Sequence, residues 1–379
     1  MSVSPTKNAP GCPADWAGGW LTIDLAALVA NWRMLGTIAS AAEVAAVVKA
    51  DAYGLGVAAV APALFDAGCR SFFVAHLGEG VQLRDVLGNG ATIHVLNGIP
   101  PGTAADFDRH GLLPVLNSLE QIAAWRTLAA TRGRALPAAI QFDTGMSRFG
   151  LSPDELGRLA GSPDGYAGIE TRLVMSHLGC ADTPEHPANA EQLAAFTRLR
   201  PLLPAAPSSL AASSGIFLDP AFHMDMVRPG AALYGVPPTS GRANPMRDVV
   251  RLQGRVVQVR TVPAGSWVGY GARHVARRIS RIATVAVGYA DGFLRASGDN
   301  GVLTHPDGGP ELPVIGRISM DCLAVDVTDA DGIDIHEGTA LDLIGPYRSL
   351  ADAARAAGTI GYELLTSLGG RYSRTYLSA

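Results

Sequence analysis

The stretch AAVVKADAYGLG, residues 45–56, decides how the rest of the chain is read. Its four leading apolar residues read as a strand buried on both faces, as in a parallel sheet, and Gly54 and Gly56 read as the loop that follows. Lys49 therefore stands at the C-terminal end of a buried strand, beside a glycine-rich turn. An ammonium there is costly unless it is paired, or unless its lowered pKa serves chemistry.

Runs of the same kind recur along the first two thirds of the chain. They are FFVA (72–75), IHVL (93–96), LPVL (113–116), AAIQFD (138–143), RLVMSH (172–177), SLAAS (209–213) and MVRPG (226–230), separated by alanine- and leucine-rich segments of helical texture. Strands alternating with helices point to an α/β fold with a parallel sheet. An open doubly wound sheet competes with a closed barrel, and the count of eight favours the eight-stranded (β/α) barrel, placed over residues 21–240. After ALYGVPP (232–238) the texture changes to alternating β stretches with turns, among them VVRLQGRVVQVRTV and LPVIGRISMDCLAVDVTD. A β-rich C-terminal domain is expected over 241–379, and an N-terminal extension, mobile in part, over 1–20.

The 379 residues are ordinary for a globular protein, with 48% hydrophobic and 17% charged residues and a formal net charge of -4. That charge gives no electrostatic reason to expect nucleic acid or an acidic membrane as partner. No apolar run is long enough to cross a bilayer. The opening residues place Pro, Gly and polar groups where a signal peptide needs its apolar segment, so the expected location is the cytoplasm. Cys12, Cys69, Cys180 and Cys322 are scattered without a CxxC pair or metal-ligand spacing, and no metal site is expected.

Barrel enzymes carry their sites on the loops after the C-terminal ends of the strands. Those positions hold Lys49 and Tyr53 after the first strand, Arg148 after the fifth and His177 after the sixth. Ser213 and Ser214 follow the seventh strand, and Arg228, Gly230 and Ala231 the eighth. Each alone has an ordinary explanation: a strand-end lysine in an ion pair, a core histidine, a Pro-Gly turn. Together they converge on one rim. Gly230 at a helix start makes an anion site, and a lysine facing a phosphate cradle suggests pyridoxal phosphate, whose aldehyde needs a lysine for its Schiff base.

At this point the chain resembles the alanine racemases. VVKADAYGLG is similar to that family's cofactor-lysine motif. IQFDTGMSRFGL (140–151), MSHLGCAD (175–182), VRPGAALYG (227–235), VGYGARH (268–274), VAVGYADGF (285–293), GRISMDCLAVDVT (316–328) and GTIGYELL (358–365) resemble its other landmarks in the same order. The resemblance implies a homodimer, paired head-to-tail with shared active sites, that binds pyridoxal 5'-phosphate and interconverts L- and D-alanine by a two-base proton transfer at Cα. It implies a supply of D-alanine for cell-wall peptidoglycan. Lys49 would carry the cofactor, and Tyr53, Ser214, Gly230, Ala231 and Tyr362 would hold its phosphate. His177 would lie against the cofactor ring and Arg228 would face the pyridine nitrogen. Arg148 and the Met320 backbone would bind the substrate carboxylate, Tyr270 would be the second catalytic base, and Tyr289 and Asp321 would stand at the entrance.

This chain departs from the family at Gln141, where many members have a lysine modified to a carbamate that props the carboxylate-binding arginine. Arg148 must then be oriented by the Gln141 amide or by a bound anion such as chloride. Leu210 and Ser213 likewise replace a common histidine and asparagine. Two neighbouring activities stay open: a broader alanine/serine racemase, and a barrel-type basic amino-acid decarboxylase, for which Cys322 in the second domain is the point of contact. A cofactor carrier without turnover is a third, but such barrels lack a β domain.

Overall fold

The computed structural model describes residues 13–298 and 300–378. Cys12 and residues 1–12 of the expected extension lie outside them.

Among the described residues, eight strand positions close into a ring, at each of the runs expected from the sequence. The ring begins at residues 43–47: Ala46–Val47 pairs in parallel with Ser71–Val74, in the register Ala46 with Phe72 and Val47 with Phe73. The order continues through Thr92–Val95, Leu113–Leu116, Leu136–Gln141, Ile169–Met175 and Ser208–Ser209, each parallel to the last. Met226–Val227 closes it, pairing Glu43 with Met226 and Val44 with Val227. On its other side the Asp225 amide donates to the Ser208 carbonyl and the Arg228 amide to that of Ala211, both at 3.0 Å.

Side chains alternate along these strands. Val47, Phe73, Val115, Ala139 and Met175 fill the barrel interior. Their neighbours Ala46, Phe72, Val95, Leu116 and Val174 pack outward against the helices. This two-residue period, buried on both faces, is why the strands read as unbroken apolar runs. After the seventh and eighth strands the chain makes only short helical turns, Ser214–Phe217 and Ala231–Tyr234. The helix Leu25–Ile38, capped by the Asp24 carboxylate, covers the second of them, and the Asn31 amide donates to the Leu233 carbonyl at 3.2 Å.

The β-rich body is built on the long strand Val250–Val262, which pairs with Ser280–Val285 and Ala340–Ile344. It also takes the strand Gly19–Asp24, antiparallel, with Gly19 opposite Gly254 and Ile23 opposite Val250. Gly19–Asp24 in turn pairs in parallel with the C-terminal strand Ser373–Leu377. Residue 21, read as the start of the barrel, thus falls inside a strand of the other sheet; its partners lie more than 200 positions away, beyond the reach of local pattern. No helix among the described residues is long and apolar enough to cross a membrane.

Candidate functional site

Lys49 opens a turn of unusual hand. Ala50, Asp51, Ala52 and Tyr53 all have φ between 53° and 56°. This left-handed conformation costs L residues on the order of 1–2 kcal/mol each, so the surroundings must hold it. The Glu79 carboxylate accepts the Ala50 amide at 2.7 Å and the Asp51 carboxylate accepts the Val57 amide at 2.7 Å. From the β-rich body Arg374 donates to the Gly54 carbonyl and the Tyr376 hydroxyl to the Leu55 carbonyl, both at 2.8 Å. The two glycines are there for space: a Cβ on Gly54 would meet the Leu365 carbonyl oxygen at 2.5 Å, and one on Gly56 the Tyr376 hydroxyl at 2.3 Å.

The turn carries Lys49 and Tyr53 into a cleft of about 1210 Å³ at the C-terminal ends of the barrel strands. Gln141, Arg148, His177, Ser213, Ser214, Arg228, Gly230, Ala231 and Tyr362 line the same cleft. Burial lowers the Lys49 pKa; the Arg148 guanidinium lowers it further and the Glu79 carboxylate opposes both. Among the described residues no carboxylate lies within ion-pairing distance of the lysine.

One corner of the cleft suits an anion. The Ser213 hydroxyl accepts the Gly230 and Ala232 amides at 3.0 and 3.2 Å, which fixes the loop between them, and Ala231 lines the cleft. The Tyr53 ring packs at a tilt against Tyr234, centroids 4.6 Å apart, and meets Tyr362 edge-on at 6.4 Å. Burial raises the pKa of both Tyr53 and Tyr362, so both phenols keep their protons and can donate. Gly230 must be small, because a Cβ there would lie 2.4 Å from the Tyr53 hydroxyl oxygen.

The opposite wall holds a buried cation. Arg228 is 3% exposed and has no carboxylate within ion-pairing distance among the described residues. It donates to the Ser209 hydroxyl, to the Ser176 carbonyl at 2.7 Å and, at 3.5 Å, to Nδ1 of His177. Burial pushes its pKa down to about 9, which leaves it charged at neutral pH. Burial first, and then Arg228, Arg148 and Lys49, hold His177 at about 3. The imidazole is therefore neutral. An arginine can only donate, so Nδ1 accepts and the His177 proton is assigned to Nε2.

Arg148 rides on a loop shaped by Asp143, whose carboxylate accepts the amides of Gly145 and Met146 at 2.9 Å and of Ser147 at 3.0 Å. Buried Gln192 ties this loop to that of His177: it donates to the Thr144 hydroxyl and the His177 carbonyl and accepts the Gly179 amide. Gln141 is 6% exposed, yet no hydrogen bond joins its amide to Arg148, whose guanidinium lies 5.8 Å from the Phe149 ring.

Tyr270, Met320 and Tyr289 are not in the cleft of their own chain. They are 71%, 53% and 41% exposed, all on the β-rich body. The Ala290 amide donates to the Met320 carbonyl at 3.0 Å, and Arg371 clamps the two loops through Asp291 and Asp321. Asp321, expected at the entrance, is thus a partner in an ion pair. Glu79, Ser209, Gln192 and Arg371 were not singled out by sequence. Each acts through backbone or partners distant along the chain, and only Ser209, the last residue of the seventh strand, lies next to the strand-end positions that local pattern marks.

Sequence models of two domains match the chain: "Alanine racemase, N-terminal domain" over residues 23–238 and "Alanine racemase, C-terminal domain" over 249–376. Among curated relatives, the catabolic alanine racemase of Mesorhizobium japonicum is 49% identical over 99% of both chains, and the alanine racemase of Brucella canis 48% identical over 95% of this chain and 94% of its own. Among solved structures, the alanine racemase of Bartonella henselae with covalently bound pyridoxal phosphate superposes with a TM-score of 0.91 at 43% identity. It covers 95% of this chain and 99% of its own. The biosynthetic alanine racemase of Pseudomonas aeruginosa gives 0.86 at 34% identity, with the same coverage.

Proposed function

The chain belongs to the alanine racemase family, and on that premise we propose that it interconverts L- and D-alanine by two bases on opposite faces of Cα, with pyridoxal 5'-phosphate as cofactor. The observation that carries the reading is the pairing, in one cleft, of a lysine with a lowered pKa and an anion corner of hydroxyls and amides. The residues fit the cofactor. Tyr53, Ser214, Tyr362 and the amide of Ala231 suit its phosphate, Lys49 its aldehyde, and Arg228 its ring nitrogen. When bound, the cofactor supplies an electron sink that acidifies the Cα proton of alanine.

Lys49 would take or return the proton on the face of the D enantiomer. Tyr270 serves the L face. Since Tyr270 is exposed on its own chain, the reading takes it from the second subunit of a head-to-tail homodimer, together with Met320 and Tyr289. A phenol titrates near ~10 and needs help to act as a base at neutral pH. His177 is neutral, so the help comes as a hydrogen bond from its Nε2 proton, backed by the charge of Arg228. Arg148 and the Met320 backbone orient the substrate carboxylate. Arg228 would have a second effect: a guanidinium cannot donate a proton to a ring nitrogen as a carboxylic acid does, so with it in place transamination would stay rare.

Enantiomers have equal free energy, so the enzyme has no preferred direction. It supplies D-alanine, for peptidoglycan, wherever D-alanine is withdrawn; consumption of the L form drives the catabolic direction, which the name of the Mesorhizobium relative carries. Incubation with L-alanine in D2O tests the reaction: optical rotation should decay to zero while the Cα proton signal is lost. Release of CO2 instead would overturn the reading. Serine offered as substrate tests its breadth.

A further inference from the structure

Four residues in succession hold a left-handed backbone directly after Lys49, and the contact nearest the lysine comes from Glu79, in the first turn of the helix Leu77–Leu87. Its two carboxylate oxygens do different work. Oε2 accepts the amides of Ala75 at 2.7 Å and His76 at 3.0 Å, which caps that helix. Oε1 turns away from the helix and accepts the Ala50 amide at 2.7 Å. Ala50 and Ala75 border the cleft, while Glu79 does not. The other supports of the turn, Asp51, Arg374 and Tyr376, bind farther along it, at residues 54–57.

We propose that Glu79 is a positioning residue: through the Ala50 amide it pins the left-handed turn, and so aims the Lys49 amine and the Tyr53 phenol into the cleft. This rests on the reading of Lys49 as the cofactor lysine. Glu79 touches neither substrate nor cofactor. Without it the turn relaxes toward the conformations that L residues prefer, and the lysine loses its aim while the barrel keeps its fold.

Glu79→Gln separates the two roles. The amide oxygen can still accept the Ala75 and His76 amides and keep the helix cap, but the amide nitrogen then faces the Ala50 N–H, donor against donor. Hydrogen exchange of the cofactor-free protein should speed up at least about tenfold at the amides of Ala52, Gly54, Leu55 and Gly56, with residues 77–87 unchanged. Pyridoxal phosphate should bind about tenfold or more weakly, and kcat should fall while KM for alanine stays within about twofold. Unchanged exchange and unchanged cofactor affinity would overturn the proposal. So would faster exchange confined to residues 77–87 with affinity retained, which would leave Glu79 a helix cap alone. If the Gln variant does not fold, Glu79→Asp, which keeps the charge and shortens the reach, replaces it: the same changes in exchange and affinity support the proposal, and their absence overturns it. Borohydride reduction of the wild-type holoenzyme serves as reference. A reduced adduct on a lysine other than Lys49 would overturn the site reading and the proposal with it; an adduct on Lys49 beside an indifferent Glu79→Gln would overturn the proposal alone.

Discussion

The guanidinium of Arg228 donates to Nδ1 of His177 across 3.5 Å, and its charge adds to burial in keeping the histidine neutral. A buried arginine without a carboxylate partner is an expensive group to keep. Here the Ser209 hydroxyl and the Ser176 carbonyl hold it, and its charge is free to act on whatever the cleft contains.

Arg228→Glu should therefore slow racemisation at least about tenfold and raise the share of transamination, because a carboxyl group at that position can protonate the ring nitrogen. Chiral chromatography of alanine and an assay for pyruvate follow the two outcomes in one sample. Slower racemisation with no pyruvate would show Arg228 to be a structural support only.

Gly230→Ala should weaken cofactor binding about tenfold or more while leaving the fold intact. The new Cβ lies 2.4 Å from the Tyr53 hydroxyl oxygen and 3.2 Å from Cβ of Val47, so the phenol must leave the anion corner. Titration of the cofactor-free variant with pyridoxal phosphate measures the loss. Wild-type affinity would mean that Tyr53 takes no part in holding the phosphate.

Acid should destabilise the barrel through its buried histidines. His94, stacked on Phe73 at 4.3 Å, is held at about 3 by burial and then by Arg228. An unfolded histidine titrates near ~6.5, so between these values the unfolded chain binds more protons than the folded one. Stability is full above about 6.5 and falls as pH drops toward 3. At pH 5 the loss from His94 is about 2 kcal/mol. His94→Leu should remove that share, read as a smaller difference in unfolding free energy between pH 7.5 and pH 5. An equal difference in variant and wild type would show that His94 protonates without penalty.

Shared sites can be tested by mixing. Lys49→Ala and Tyr270→Ala chains should each be nearly inactive alone. Unfolded and refolded together in equal amounts, they should form about half hybrids, each with one intact site and one doubly damaged site, hence about a quarter of all sites intact. Activity near a quarter of wild type supports the exchange of Tyr270 between subunits. A mixture that stays inactive although hybrids form would mean that both bases come from one chain.

Much of this architecture is legible from local pattern. A parallel strand inside a helix-covered barrel is buried on both sides, so each strand appears as a short apolar run, and the residue after the run is at the rim by geometry. Lys49, His177 and Arg228 are found in this way, and Gly230 by its place at a helix start. What pattern cannot supply is anything joined across the chain. GWLTID at 19–24 looks like the start of the barrel, yet its hydrogen bonds go to residues near 250 and 375. Glu79 looks like an ordinary residue in a helix's first turn until its second oxygen is seen on Ala50, 29 positions earlier. The same holds for charge. Sequence reveals that His177 is a histidine at a strand end; that it is neutral follows from burial beside Arg228, a property of the packed surroundings. Residue types and strand-end positions are set by the local chain. Hand of the turn, protonation and the pairing of distant strands are set by packing, because each depends on groups that folding alone brings within a few ångströms.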